Sequence, residues 1–349
     1  MRMEKERKYQ KPMKFVDMHC DTLYELLQKK KGGEPYSLYK NDGHIDLCKL
    51  KSGSALLQNF AMFVQKEKCD NPKEEVLKMA EIFYEEMEKT KEIIAQVKTY
   101  KEILENEKKG KISALLTIEE GAACLGRLEN LEQFYDLGVR MMTLTWNFPN
   151  EIGYPNLPKP SKEESEKPDF KFEYKKPDTE HGLTQFGIEV VDKMEELGMI
   201  VDISHLSDAG FMDVVHHTKK PFVASHSNAR SISGWVRNLT DEMIKILAER
   251  GGVTGLNFCA DFLTEVPPGQ HNPGTIQAII HHAKHIINVG GIECLGLGTD
   301  FDGIETNEAI PDYSHMPKLE EAFLAAGFKP SECDKIFKDN VLRVYKEIL

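Results

Sequence analysis

Six side chains able to bind a metal or move a proton each stand just after a short apolar run. They are His19 and Asp21 in KFVDMHCDTL, Glu119 in ISALLTIEEG, His205 in MIVDISH, His226 in PFVASHSNAR and Asp300 in CLGLGTDFDG. His19 and Asp21 are two positions apart, and side chains at i and i+2 of an extended chain point to the same side. An imidazole beside a carboxylate can hold a metal, form a hydrogen-bonded pair, or do neither. Taken singly, each residue has an ordinary explanation: a histidine after a strand commonly makes a structural hydrogen bond, Asp300 can cap a turn, and Glu119 with Glu120 can be solvated loop charge. The conjunction is harder to assign to chance, because independent accidents would not all fall at the same end of successive elements. Three histidines and two or three carboxylates are the nitrogen and oxygen set preferred by zinc and similar divalent ions. Five ligands are too many for one catalytic ion that keeps an open position. They suit two ions sharing a bridging carboxylate.

The elements that must carry these residues are legible as eight β-rich runs: KFVDM, ALLQNFAMFV, ISALLTI, VRMMTLT, MIVDIS, PFVAS, GVTGLNF and CLGLGT. Between them lie amphipathic stretches of helical length: 74–105, LTQFGIEVVDKMEELG, SDAGFMDVVHHT, TDEMIKILAERG and TIQAIIHHAKHIINVG. Several open on a Ser or Thr suited to an N-cap and close on a glycine. Eight strands alternating with helices predict a parallel sheet, and eight is the number that closes a (β/α)8 TIM-type barrel, with a doubly wound open sheet as the main competitor. In a barrel the C-terminal strand ends form the reacting face, which is where all six residues fall. The expected organisation is one domain over 14–349 after an N-terminal extension at 1–13. A Pro-, Lys- and Glu-rich surface loop is expected at about 150–180.

The remaining residues exclude more than they add. A chain of 349 residues, 40% of them hydrophobic, can bury a large core, and a net charge of −12 argues against a nucleic-acid partner. No run approaches the length of a membrane span or a signal peptide, and seven scattered cysteines without a CxxC pair read as reduced thiols, so a cytoplasmic location is expected. His216, His217, His281, His282 and His285 read as surface or packing residues, since HHAKH lacks the glutamate that makes HExxH catalytic.

With these residues assembled, the chain closely resembles the membrane (renal) dipeptidase family, zinc dipeptidases that belong with the amidohydrolase-type barrels, in a cytosolic bacterial-type form. The resemblance runs from about residue 14 to the C-terminus through VDMHCDTL, LLTIEEG, GVRMMTLTWN, LTQFGIEVV, VDISHLS, SHSNARSI, RNLTDE and GLGTDFDG. It implies two Zn2+ ions, or other divalent ions, with His19 and Asp21 on one, His205 and His226 on the other, and Glu119 bridging. Asp300 matches the acidic residue that handles the proton and contacts substrate, and Arg237 matches a substrate-binding arginine. The implied reaction is hydrolysis of dipeptides, including those with a C-terminal D-residue, by a hydroxide shared between the ions, and the implied assembly is a homodimer. The chain departs from the family twice. It has Glu119-Glu120-Gly121 in place of Glu-Gly-Gly, with Glu119 favoured as ligand because it directly follows the apolar run. It also carries Trp146 where mammalian members have a substrate-contacting histidine, which makes Trp146 a pocket wall. The rival expectations are a hydrolase of a cyclic amide, lactone or phosphoester on the same barrel, and a non-catalytic metal-binding homologue.

Overall fold

Each of the eight apolar runs forms a strand. The computed structural model describes residues 13–158, 173–267, 269–305 and 307–349. In chain order the strands are β1 (Phe15–Asp17), β2 (Ala55–Phe63), β3 (Ile94–Gln96), β4 (Ile112–Glu119), β5 (Val139–Thr143), β6 (Ile200–Asp202), β7 (Val223–Ala224), β8 (Val253–Leu256) and β9 (Leu295–Leu297). All pairings are parallel. β2 pairs with β4, and β1 closes the ring onto β9, so β1-β2-β4-β5-β6-β7-β8-β9 is a closed eight-stranded (β/α)8 barrel. Parallel neighbours need crossover connections, and the helices between the strands supply them.

The helices begin where the sequence places their caps. Thr184, Ser207, Thr240 and Thr275 each accept a hydrogen bond from the backbone N–H three residues on, opening helices Gln185–Leu197, Asp208–His217, Asp241–Glu249 and Ile276–Gly290. One expectation is corrected. The stretch 74–105 is not a continuous helix but helix Pro72–Lys89, strand β3 and helix Tyr100–Lys108. Thr99 and Glu102 form a reciprocal capping box that starts a new helix. Just before it, Ile94 pairs with Ile112 at the start of β4, which draws the chain into an extended edge strand.

The two mouths of the barrel differ. Val16, Leu57, Leu115, Met141, Ile200, Val223 and Val253 form an interior core with Val344 and Tyr345 of the C-terminal helix Asn340–Ile348. Asn340 donates to the Leu295 carbonyl at the start of β9, and Arg343 donates to the Gly251 carbonyl just ahead of β8. That helix therefore plugs the N-terminal mouth. Inside, the Asn59 amide and the Tyr345 hydroxyl bond each other at 2.7 and 3.0 Å. The C-terminal mouth is left to polar residues.

The N-terminal extension lies almost wholly outside the described residues, as does 159–172 of the 150–180 loop. The described flanks of that loop pack at the C-terminal mouth. Pro155 bridges to Leu206, Val236 N–H donates to the Tyr174 carbonyl, and the Tyr174 and Trp235 rings lie 4.3 Å apart. None of the seven cysteines is disulfide-bonded.

Candidate active site

The polar mouth gathers all six strand-end residues. Glu119 is the last residue of β4, in register with Phe63 on one side and Thr143 on the other. Its Oε2 lies 3.5 Å from His19 Nε2, while Oε1 lies 3.1 Å from His205 Nε2 and 3.5 Å from His226 Nε2. One carboxylate thus faces two sets of ligand-type atoms. His19 Nε2 is 3.5 Å from Asp21 Oδ2 and 3.8 Å from Asp300 Oδ1. The donor atoms of His19, Glu119 and His226 lie within 4.8 Å of one another, and so do those of His19, Asp21 and Asp300. Cys20 faces away, as alternation requires, and its thiol donates to the Asn59 carbonyl.

Backbone strain is concentrated here. Glu120, His205, Asp300 and Asp302 all have positive φ, a region non-glycine residues enter at a cost of about 1–3 kcal/mol and hold where the surroundings impose it. Gly303 shows how closely the chain is wrapped, because a Cβ there would sit 2.0 Å from Asp21 Oδ2 and 2.6 Å from Asp300 Oδ1. Any side chain at 303 would displace both carboxylates.

Two buried aspartates set the strand ends. Asp17 of β1 accepts from the Thr299 N–H at 2.9 Å and its hydroxyl at 2.7 Å, which ties the approach to His19 to the approach to Asp300. Asp202 of β6 accepts from the hydroxyls of Thr143 and Ser225, both at 2.6 Å, and from the Ser225 N–H at 2.8 Å. Since the Ser225 hydroxyl proton goes to Asp202, Ser225 Oγ accepts from His226 Nδ1 at 2.7 Å. His205 Nδ1 likewise donates to Asn147 Oδ1 at 2.8 Å. Both rings therefore carry the proton on Nδ1 and turn a bare Nε2 inward.

These two Nε2 lone pairs face each other at 3.0 Å. His19 Nε2 and Asp21 Oδ1, both buried, have no hydrogen-bond partner. Without a cation this arrangement is unfavourable, because buried polar atoms are left unpaired and the two facing lone pairs repel. Donors at about 2.1 Å from a shared ion sit roughly 3–3.5 Å from one another, which is the spacing of these atoms. The residues fit a metal. Burial holds His205 and His226 well below the usual histidine range, in the neutral form a metal requires. Burial alone would also lower His19, but the Glu119 and Asp21 carboxylates more than reverse that and hold its proton. Burial first, with the neighbouring carboxylates adding to it, pushes Glu119 up to about 8 and Asp300 up to about 6.

The two flanking residues are also at the mouth. Arg237 is buried behind His226, donating to its carbonyl at 3.2 Å and to the Ser227 hydroxyl at 3.3 Å, and its Nε lacks a partner. Trp146 is partly exposed, with its ring 6.1 Å from that of His205. Glu120 turns away from the cluster: its carboxylate accepts from Ala122 N–H at 2.8 Å and Trp146 N–H at 3.0 Å, making it a loop brace. Sequence reading passed over Asn257, whose amide donates to Asp300 Oδ2 at 2.8 Å, as well as Asn147, Asp17 and Asp202. Asn257 and Asn147 also follow apolar runs, so the strand-end rule extended to amides would have found them. His282, read as packing, is buried and bonds Ala229 N–H and the Leu263 carbonyl.

The chain is similar to several known proteins. The chain is 30% identical to an uncharacterized dipeptidase of Schizosaccharomyces pombe over 97% of its own length and 81% of that protein's. It is 32% identical to an uncharacterized Klebsiella pneumoniae protein, over 70% of this chain and 86% of that one. Among solved structures it is similar to a Rhodobacter sphaeroides metallopeptidase liganded with a phosphinate mimic of the dipeptide L-Ala-D-Ala, at 26% identity and a TM-score of 0.86, over 97% of this chain and 100% of that one. A second metallopeptidase structure, a dipeptidase, matches at 27% identity and a TM-score of 0.85, over 97% and 99% of the two chains. The family model for membrane dipeptidase, peptidase family M19, matches residues 3–349, so the chain belongs to that family and is a metal-dependent peptide-bond hydrolase.

Proposed function

We propose that the chain hydrolyses dipeptides at two divalent ions, zinc first among them, with His19 and Asp21 holding one, His205 and His226 the other, and Glu119 bridging. The observation that carries this is the Glu119 carboxylate, whose two oxygens each face a different histidine set at 3.1–3.5 Å. Bound there, the ions supply Lewis-acid polarisation of the scissile carbonyl and bring the pKa of water towards neutrality.

The chain's own residues do the rest. Asp300 takes a proton from the attacking water and returns it to the leaving amine, a role suited to a carboxyl pushed up to about 6. Asn257 holds Asp300 Oδ2 and leaves Oδ1 turned towards His19. Arg237, a fixed cation at the mouth, pairs with the substrate's carboxylate by charge-assisted hydrogen bonds. Acceptance of a C-terminal D-residue is part of the proposal, supported by the L-Ala-D-Ala mimic bound to the Rhodobacter sphaeroides neighbour. A cytoplasmic homodimer completes it, on the family resemblance and the seven free thiols.

The direct test is hydrolysis of L-Xaa-D-Yaa and L-Xaa-L-Yaa dipeptides by the zinc-loaded protein, with a chelated sample alongside. Cleavage that vanishes on chelation is expected. A fully loaded protein that leaves every dipeptide intact would overturn the proposal and turn attention to lactones and cyclic amides.

A further inference from the structure

The reacting mouth has two chemically distinct halves. Arg237, Asn257 and Asp300, from the loops after β7, β8 and β9, make one half polar. The other half is aromatic. Tyr24 lies in the first turn of helix Thr22–Gly32, Phe63 ends β2 directly opposite Glu119, and Trp146 follows β5. Their rings meet edge to face, Tyr24 to Phe63 at 5.1 Å and Phe63 to Trp146 at 4.9 Å, and the row ends at His205. Phe148, buried, backs Trp146 at 5.2 Å. Tyr24, Phe63 and Trp146 each keep part of their surface open to solvent. The backbone under Trp146 is held by the buried Glu120 carboxylate, so the row is built rather than loose.

Resting on the dipeptidase reading, we infer that this row receives the side chain of the substrate's N-terminal residue and selects large apolar side chains, aromatic ones above all. With the C-terminal carboxylate on Arg237 and the scissile carbonyl at the Glu119 cluster, the N-terminal residue falls across the cluster from Arg237, on the β1–β5 side. There it meets ring faces and edges, which favour another ring through edge-to-face contact and area removed from water. A polar or acidic side chain at the same place would be desolvated against ring carbon. Trp146, packed between Phe63 and Phe148, gives the row its largest ring and no group that can carry charge.

The test uses the zinc-loaded full chain and two substrate series, L-Xaa-D-Ala and L-Ala-D-Xaa, with Xaa as Phe, Leu, Ala or Asp. Calorimetric binding of phosphinate mimics of L-Phe-D-Ala and L-Ala-D-Ala runs in parallel. In the first series kcat/KM should favour Phe over Ala by about tenfold or more, the range that apolar pocket contacts deliver, with Asp poorest. Trp146→Leu and Phe63→Leu, checked for metal content and folding, should each shrink the Phe/Ala ratio, and the binding ratio of the mimics should shrink with it. Equal use of Phe and Ala, a preference for Asp, selectivity confined to the L-Ala-D-Xaa series, or a ratio indifferent to both variants would overturn the inference. Selective binding of the L-Phe mimic with no dipeptide cleaved would uphold the aromatic row and sink the dipeptidase reading. Cleavage without selectivity would do the reverse.

Discussion

At Glu119 a side chain that burial would keep protonated faces the bare Nε2 atoms of His205 and His226, and a cation resolves both problems at once. The residues around the cluster divide by what they touch. Ser225 reaches the proposed metal site through His226, fixing which ring nitrogen is bare. Ser225→Ala should therefore weaken metal binding by about 10- to 100-fold while leaving the apparent KM of the fully loaded protein near that of the parent. Competition against a chelator measures the first effect and saturating-metal kinetics the second. Asp300 is expected to differ in kind. Asp300→Asn should retain both ions by elemental analysis and lose about 100- to 10,000-fold in kcat, the usual reach of a lost acid–base group. Parental turnover by that variant would remove Asp300 from the proton path.

The elements were legible where their signals are local. Eight apolar runs became eight barrel strands, and the Ser and Thr caps opened helices where expected, because side-chain alternation and capping depend on near neighbours in sequence. β3 was not legible, since the residues around Ile94 read equally well as helix until their pairing partner at Ile112 is known. The cluster could be read from its strand-end positions. Asp17 and Asp202 could not, since their work is to cross-link strands far apart in sequence. The C-terminal helix is a similar case: its amphipathic face is plain, but its seat in the N-terminal mouth is not. Its Tyr345 hydroxyl pairs with buried Asn59, so Tyr345→Phe leaves that amide short of a partner and should cost about 1–3 kcal/mol of stability. Denaturant unfolding checks this. Activity per folded molecule should be unaffected, because the helix closes the mouth opposite the cluster.

For the molecule as a whole, the two mouths separate stability from chemistry, and metal loading joins them. Without a metal, Glu119, at about 8, Asp300, at about 6, and His19, held well above the usual histidine range by the Glu119 and Asp21 carboxylates, keep protons that a cation displaces. His205 and His226, already neutral, release none above the ordinary histidine range. Metal binding therefore releases protons near neutrality, and affinity rises as pH rises through that range. Calorimetry in buffers of different ionisation enthalpy should record net release at pH 7, and net uptake there would contradict the proton inventory.

The most direct measurement is the zinc content of the parent chain and of Glu119→Gln, taken by elemental analysis beside the rate of dipeptide hydrolysis on the same samples. Two ions per parent chain, loss from both positions in the variant and a fall in kcat/KM of at least about a thousandfold are predicted, because the shared ligand serves both ions and the reaction. A variant that keeps two ions and cleaves dipeptides at the parent's rate would show that Glu119 bridges nothing.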